Sequence, residues 1–121
     1  HVGIAGGQGD ITVSDKGKVA GIINEYGSQK INEIAQELTR LLDYFEQNNP
    51  SIPEAVQRVN TAKENYPELN DAKVIEATII DNPTLKQRIL SATKAASLET
   101  IKALLPPVGV AIEAIKAYRN P

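Results

Sequence analysis

The chain has 121 residues, a formal net charge of −2 and no cysteine. This length suits one domain with a modest core. The near-neutral charge argues against the global basicity that is typical of nucleic-acid-binding proteins. The lack of cysteine excludes disulfides, thiolate metal sites and cysteine nucleophiles within this chain.

The N-terminal part is rich in glycine. Seven of the eight glycines lie within the first 28 residues, where they separate three short β-prone runs at residues 2–5, 11–14 and 19–23. This spacing is typical of a hairpin or a meander. We therefore predict a β-forming segment over residues 1–27. The edges of so small a sheet need a cover, either the helices of the same chain or strands of another copy.

Helical periodicity begins at residue 28. Apolar residues recur at i, i+3, i+4 and i+7 from Ile31 to Phe45, which predicts an amphipathic helix capped by Ser28 and ended by Asn48-Asn49-Pro50. Ser51-Ile52-Pro53-Glu54 has the pattern of a capping box with proline in the first turn, and it predicts the start of a second helix. This second helix is expected to end before Tyr66-Pro67.

Further helices are predicted towards the C-terminus. The third covers residues 71–80, and Asn82-Pro83 signals the start of a fourth that continues to Leu105. Pro106-Pro107 is expected to break it before a last helix over residues 108–118. The predicted fold is mainly α: a bundle of about four to five antiparallel helices over residues 28–121, preceded by a short glycine-rich β-hairpin or meander.

The chain lacks the residues that most catalytic and cofactor-binding sites need. The single histidine is His1, so neither a Ser–His–Asp triad nor a Cys/His zinc site can be assembled. Gly6-Gly7-Gln8-Gly9-Asp10 lacks the Lys-Ser/Thr of a phosphate loop and is followed by a β-prone run. These glycines are interpreted as turn residues. We predict no enzyme activity, no catalytic residue, no cofactor and no metal.

Three polar groups remain as weaker candidates. Glu33 and Glu37, one helical turn apart, could act as an acid–base pair with Asp43, although a solvated polar face explains them more simply. Asp10, Ser14 and Asp15 could hold Ca²⁺ weakly, without the ligand order of an EF-hand. A basic group could contact phosphates, but it lacks the interleaved aromatic residues of a single-strand binder, so nucleic acid is disfavoured as a partner. The basic group consists of Lys86, Arg88, Lys94, Lys102, Lys116 and Arg119.

Charge is distributed unevenly along the chain. Residues 1–83 carry seven Lys or Arg and thirteen Asp or Glu, whereas residues 84–121 carry six and two. Acid–base pairing between helices is the favoured explanation, and head-to-tail assembly or an acidic partner is the alternative. No apolar run of about 18 residues predicts a transmembrane helix, and no signal peptide is recognised. The sequence does not fix the localisation; cytoplasm is slightly favoured, and export stays open because the chain starts at His1 rather than Met.

Two stretches carry a resemblance to a known type of module. They are residues 17–29, from Gly17-Lys18-Val19-Ala20-Gly21 onward, and residues 81–88, which read Asp-Asn-Pro-Thr-Leu-Lys-Gln-Arg. Together with the apolar last helix, they resemble a helical accessory module of cyanobacterial multidomain proteins, found with pentapeptide repeats, peptidase-like effectors and signalling ATPases. The resemblance covers residues 17–118 and implies a non-catalytic adaptor or oligomerisation module. The chain lacks the glycine pair near residues 95–97 and the terminal tryptophan of that module.

The sequence therefore favours a non-catalytic, self-associating interaction module whose partner is another copy or another protein. A fibre or filament subunit that polymerises through the β segment is one alternative, and a carboxylate-dependent enzyme is another. The glycine spacing of residues 1–27 is also similar to that of signalling-amyloid segments, a competing role for them. The apolar residues expected at the assembly interface are Val2, Ile4, Ile11, Val13, Val19, Ile22 and Ile23.

Overall fold

The computed structural model describes the backbone of residues 10–92 and 95–119 and the side chains of residues 17–92 and 95–117. This part of the chain is mainly helical and contains no β-strand. A 3₁₀-helix, Pro67–Asn70, lies between the third and fourth of seven α-helices. The α-helices are α1 Asp10–Tyr26, α2 Ser28–Asn48, α3 Ile52–Asn65, α4 Ala72–Asp81, α5 Pro83–Ser91, α6 Ala96–Leu104 and α7 Pro106–Arg119.

The long helix α2 supplies much of the core. All seven apolar residues of its predicted stripe are buried, which confirms the amphipathic helix expected from the sequence. Its N-cap is Gly27 rather than Ser28, and Asn49 ends it in the left-handed conformation with φ 43°. The buried apolar residues of the stripe are Ile31, Ile34, Ala35, Leu38, Leu41, Leu42 and Phe45.

Local capping signals position the next helices. The Ser51 N–H donates to Glu54 Oε1 at 3.0 Å, and the Ser51 hydroxyl accepts from the Glu54 N–H, so the predicted capping box is confirmed. Asn82 Oδ1 accepts from the Leu85 N–H at 3.0 Å, with Pro83 as the first residue of α5. Both starts follow from residues close in sequence, because a cap satisfies backbone donors within its own first turn.

The fourth predicted helix is divided in two. It was expected to run from Pro83 to Leu105, but α5 ends at Ser91 and α6 begins at Ala96. Leu85 and Ile89 of α5 are buried, as are Leu98 and Ile101 of α6, so each short helix turns its own apolar residues to the core. The last helix begins at Pro106, two residues before the predicted start.

Short helix α4 lies at the centre of the packing. It contacts α1 from the N-terminal part and α7 from the C-terminal part, and it also packs on α2. Val74, Ile75 and Ile79 of α4 are fully buried, together with the side chain of Thr78, whose hydroxyl donates to the Val74 carbonyl at 2.7 Å. Elements from both ends of the sequence therefore meet on α4.

The described part of the segment before Gly27 differs from the prediction. Residues 19–23, which the glycine spacing assigns to a strand, lie in α1, as does the backbone of residues 11–14. Val19, Ile22, Ile23 and Tyr26 follow helical spacing, so they share one side of a helix, whereas in a strand they would divide between two faces. The first predicted strand, residues 2–5, lies outside the described residues.

Candidate interaction surface

An open groove of about 420 Å³ lies between α1 and α4. One wall is the flank of α1, and the other is formed by the N-terminal half of α4. Apolar side chains and one glycine lie within it, and charged side chains line its rim. The lining residues are Lys18, Val19, Gly21, Ile22, Glu25, Lys73, Glu76 and Ala77.

The groove exists because α1 covers its apolar residues only in part. Val19, Ile22 and Ile23 are half-buried, in contrast to the fully buried stripe of α2. Gly21 has no side chain to close the space, and a Cβ built there would meet no atom within 4 Å. Apolar surface of Val19 and Ile22 therefore remains accessible at the groove, although burial of such surface is favourable by about 25 cal/mol per Å².

The rim of the groove carries two lysines and two glutamates. Lys18 and Glu25 lie on α1, both exposed, and neither makes an ion pair within the described part of the chain. They are seven residues apart, which is close to two full turns, so they lie on the same side of α1 and about 10 Å apart along its axis. Lys73 and Glu76 lie across the groove on α4. The rim is thus balanced in charge.

The C-terminal end of α1 is fixed in a defined orientation. The Gly27 N–H donates to the Ile23 carbonyl at 2.7 Å, and the Gly27 carbonyl accepts from the Ile31 N–H at 3.1 Å, so this residue ends one helix and begins the next. Its φ of 90° lies in a region that glycine adopts readily and other residues avoid. The backbone conformation of Gly27 therefore fixes the direction in which α1 leaves α2, and with it the end of the groove next to α2.

Tyr26 lies at the same end of the groove, close to acidic residues. Its ring packs partly against the core, and it lines a surface depression together with Glu68 and Asp71. Burial raises the pKa of the Tyr26 hydroxyl, and the negative charges of Glu25, Asp71 and Glu68 raise this pKa further. The pKa of Tyr26 therefore depends on how closely α1 packs on the rest of the fold.

The predicted interface residues have different positions. Val19 and Ile22 line the groove, and Ile23 packs against the core beside them. Ile11 and Val13 belong to α1, but their side chains are outside the described residues, as are Val2 and Ile4 entirely. The charged rim and Ala77 were missed. The helical spacing of the apolar residues of α1 is a signal that would have indicated the α1 wall of the groove.

The carboxylates proposed as an acid–base site have separate partners. Glu37 was expected on a solvated face, but it is buried, and its oxygens face Arg58 at 2.8 Å and Arg40 at 3.2 Å. Asp43 pairs with Arg88 at 2.6 Å. Glu37 thus joins α2 to α3. Asp10, Ser14 and Asp15, the weak calcium candidate, lie in α1 with side chains outside the described residues.

Several of the C-terminal basic residues have acidic partners. Arg88 of α5 reaches Asp43 and Glu46 of α2, so at this point the acidic and basic parts of the sequence do pair between helices. Lys102 pairs with Glu99 at 2.9 Å, and Lys116 pairs with Glu113 at 3.7 Å, both within their own helices. Lys86 lines a shallow depression on α5, and Lys94 is outside the described residues.

Comparisons with protein-family models, curated proteins and solved structures give no match for this chain. Within the described residues, no helix combines the length and the apolar character needed to cross a bilayer.

Proposed function

We propose that this chain is a protein-interaction module that self-associates, and that the groove between α1 and α4 is its contact surface. The observation that carries the proposal is the incomplete burial of α1, whose residues Val19 and Ile22 line an open groove instead of a closed core. A helix placed this way gains further apolar burial when another protein surface covers it.

The charged rim favours a specific contact over non-specific adhesion. Lys18 and Glu25 are exposed beside the apolar residues and have no ion-pair partner in the part of the chain that the structure describes. An apolar centre surrounded by polar residues is the usual anatomy of a protein–protein interface. The helical accessory module that the sequence resembles is also expected to act as an adaptor or oligomerisation module.

The structure changes the mode of assembly that we propose. Pairing of strands was the expectation from the glycine spacing, whereas residues 19–23 are helical. The proposed contact therefore uses helix surfaces, with Val19 and Ile22 retained from the predicted interface. Eight residues line the groove, whereas a standard interface has about 20–30 residues on each side, so we expect weak association.

Sedimentation velocity of the full chain, from about 1 µM to about 1 mM, tests the proposal. Gly21→Gln places a side chain in the groove, and Ala20→Gln adds the same side chain on the exposed side of α1 away from it. Both positions are exposed, so both variants should fold. We expect association of the wild type and of Ala20→Gln, and at least about tenfold weaker association of Gly21→Gln.

A second exposed apolar site provides a further control. Ile52 and Val56 lie one turn apart on α3, and Ile52 is 66 % exposed. If Ile52→Ser weakens association and Gly21→Gln does not, the contact surface lies on α3 and the proposal for the groove is wrong. A monomer at every concentration would contradict self-association itself. Elongated particles under negative stain would instead favour the fibre alternative.

A further inference from the structure

We infer that the groove between α1 and α4 binds the α1 helix of a second copy of this chain, about a two-fold axis that passes between the two α1 helices at the level of Gly21 and Ile22. The two α1 helices then run antiparallel, and Lys18 of each copy faces Glu25 of the other. This inference rests on the self-association proposed above and adds to it the partner, the symmetry and the pairing of residues.

The positions of the two rim charges on α1 carry the argument. Lys18 and Glu25 are on one side of the helix, and the midpoint between them lies between residues 21 and 22. A two-fold axis that passes beside α1 at the level of that midpoint brings residue 18 of one copy opposite residue 25 of the other, and it does so twice. Both pairs join a lysine to a glutamate, so this face of α1 is complementary to itself in charge.

The centre of the same face is complementary in shape. The two-fold axis that pairs Lys18 with Glu25 also brings Ile22 of each copy opposite Gly21 of the other. Ile22 is a half-buried, branched side chain, and Gly21 has open space where a side chain would be. A large residue facing a glycine allows two helices to approach closely, because the side chain fills the space that the glycine leaves.

The opposite wall of the groove suits the same partner. Lys73 and Glu76 of α4 add one positive and one negative charge to the rim, and Ala77 adds a small apolar surface. A partner of uniformly basic or acidic character would meet a like charge on each wall, which is unfavourable. A copy of this chain brings both signs in the reversed order that the antiparallel arrangement needs.

Charge reversal tests this pairing in the full chain. Lys18→Glu and Glu25→Lys each convert two attractive pairs into two repulsive pairs in the homodimer. We expect either variant to associate about tenfold to a hundredfold more weakly than the wild type, since each of the pairs contributes modestly. The control variants Lys63→Glu and Glu64→Lys make the same charge changes on α3, outside the groove, and should associate like the wild type.

Combining the variants gives the decisive measurement. In an equimolar mixture of Lys18→Glu and Glu25→Lys, the mixed dimer has two attractive pairs again, so association should return to within about threefold of the wild type. The double variant Lys18→Glu with Glu25→Lys should recover in the same way. Circular dichroism of each protein before sedimentation shows that its helices are retained.

The outcomes separate this inference from the proposal on which it depends. If the wild type stays monomeric, or if Gly21→Gln associates as tightly as the wild type, both fail. If Gly21→Gln blocks association but the two charge reversals behave like their α3 controls, the groove remains the contact surface and the antiparallel pairing is wrong. Weakening by both reversals without recovery in the mixture would also overturn the pairing.

Discussion

Helices α1 and α2 are neighbours that meet at Gly27, with 17 and 21 residues, yet they are held in the fold by different means. In α2 a continuous apolar stripe is fully buried, and a buried carboxylate, Glu37, is paired with Arg58 of α3. In α1, Ile22, Ile23 and Tyr26 pack only partly against the core. A helix can thus have a defined position in a fold while part of its apolar surface stays exposed. By this measure α2 stabilises the fold, whereas α1 keeps apolar surface that a partner can cover.

The strongest test of this comparison is a pair of substitutions that each shorten one side chain. Leu41→Ala in α2 removes a fully buried side chain and should lower the free energy of unfolding by about 3 kcal/mol, because it leaves a cavity. Ile23→Ala in α1 should lower it by about 1 kcal/mol, because Ile23 is only partly buried. Urea denaturation followed by circular dichroism gives both values. Equal losses at the two positions would contradict the difference between the helices.

The next largest loss of stability is expected for a substitution at Gly27, where α1 meets α2. Gly27→Ala should lower the free energy of unfolding by about 1 kcal/mol or somewhat more, because alanine is strained at a φ of 90° even though its Cβ would meet no atom. Thermal denaturation measures the loss. A variant as stable as the wild type would show that the chain between α1 and α2 can adopt another conformation at no cost.

Gly17 should respond in the opposite direction. It lies inside α1, and a Cβ there would also meet no atom within 4 Å. Gly17→Ala should therefore raise the free energy of unfolding by about 0.5 kcal/mol or slightly more, through helix propensity alone. The measurement is made at a concentration where the chain is monomeric. A loss of stability would indicate that α1 packs more tightly on this side than its exposure suggests.

The smallest effect is a titration at Tyr26. Its pKa lies above the ordinary tyrosine value of 10.0 through burial and through the charges of Glu25, Asp71 and Glu68. The folded pKa is raised, so the stabilisation linked to it is present below pH 10 and is lost as the pH rises through the folded pKa. The difference in ultraviolet titration between the wild type and Tyr26→Phe isolates this group. Asp71→Asn should lower the pKa, and an ordinary value in the wild type would mean that α1 does not sit on the helices beneath it.

Much of the helical fold follows from local signals in the sequence. The stripe of α2 and the caps at Ser51 and Asn82 depend on residues within one or two turns of each other, and these predictions are confirmed. The break after Ser91 was missed because no proline or glycine marks it between residues 91 and 96. Contacts with distant residues hold both helices: α6 packs on α2 and α3, and Arg88 of α5 pairs with Asp43 of α2.

The candidate surface was only partly predictable. Val19, Ile22 and Ile23 were selected for their apolar character, but the glycines and β-branched residues around them indicated strands by local propensity. Tertiary contact with α4 favours the helix instead. Lys73, Glu76 and Ala77 could not be connected to α1 from the sequence, because about fifty residues separate the two walls of the groove.

The central position of α4 has a consequence for the order of folding. Five of its ten residues are β-branched, which lowers its intrinsic tendency to form a helix, and a helix of this length is not stable alone in water. We therefore expect α4 to become helical only when α2, α1 and α7 are present to pack around it. The contact between α4 and α7 can form only once Pro106–Arg119 has been synthesised, so the described helices should acquire their structure together, in a single cooperative step.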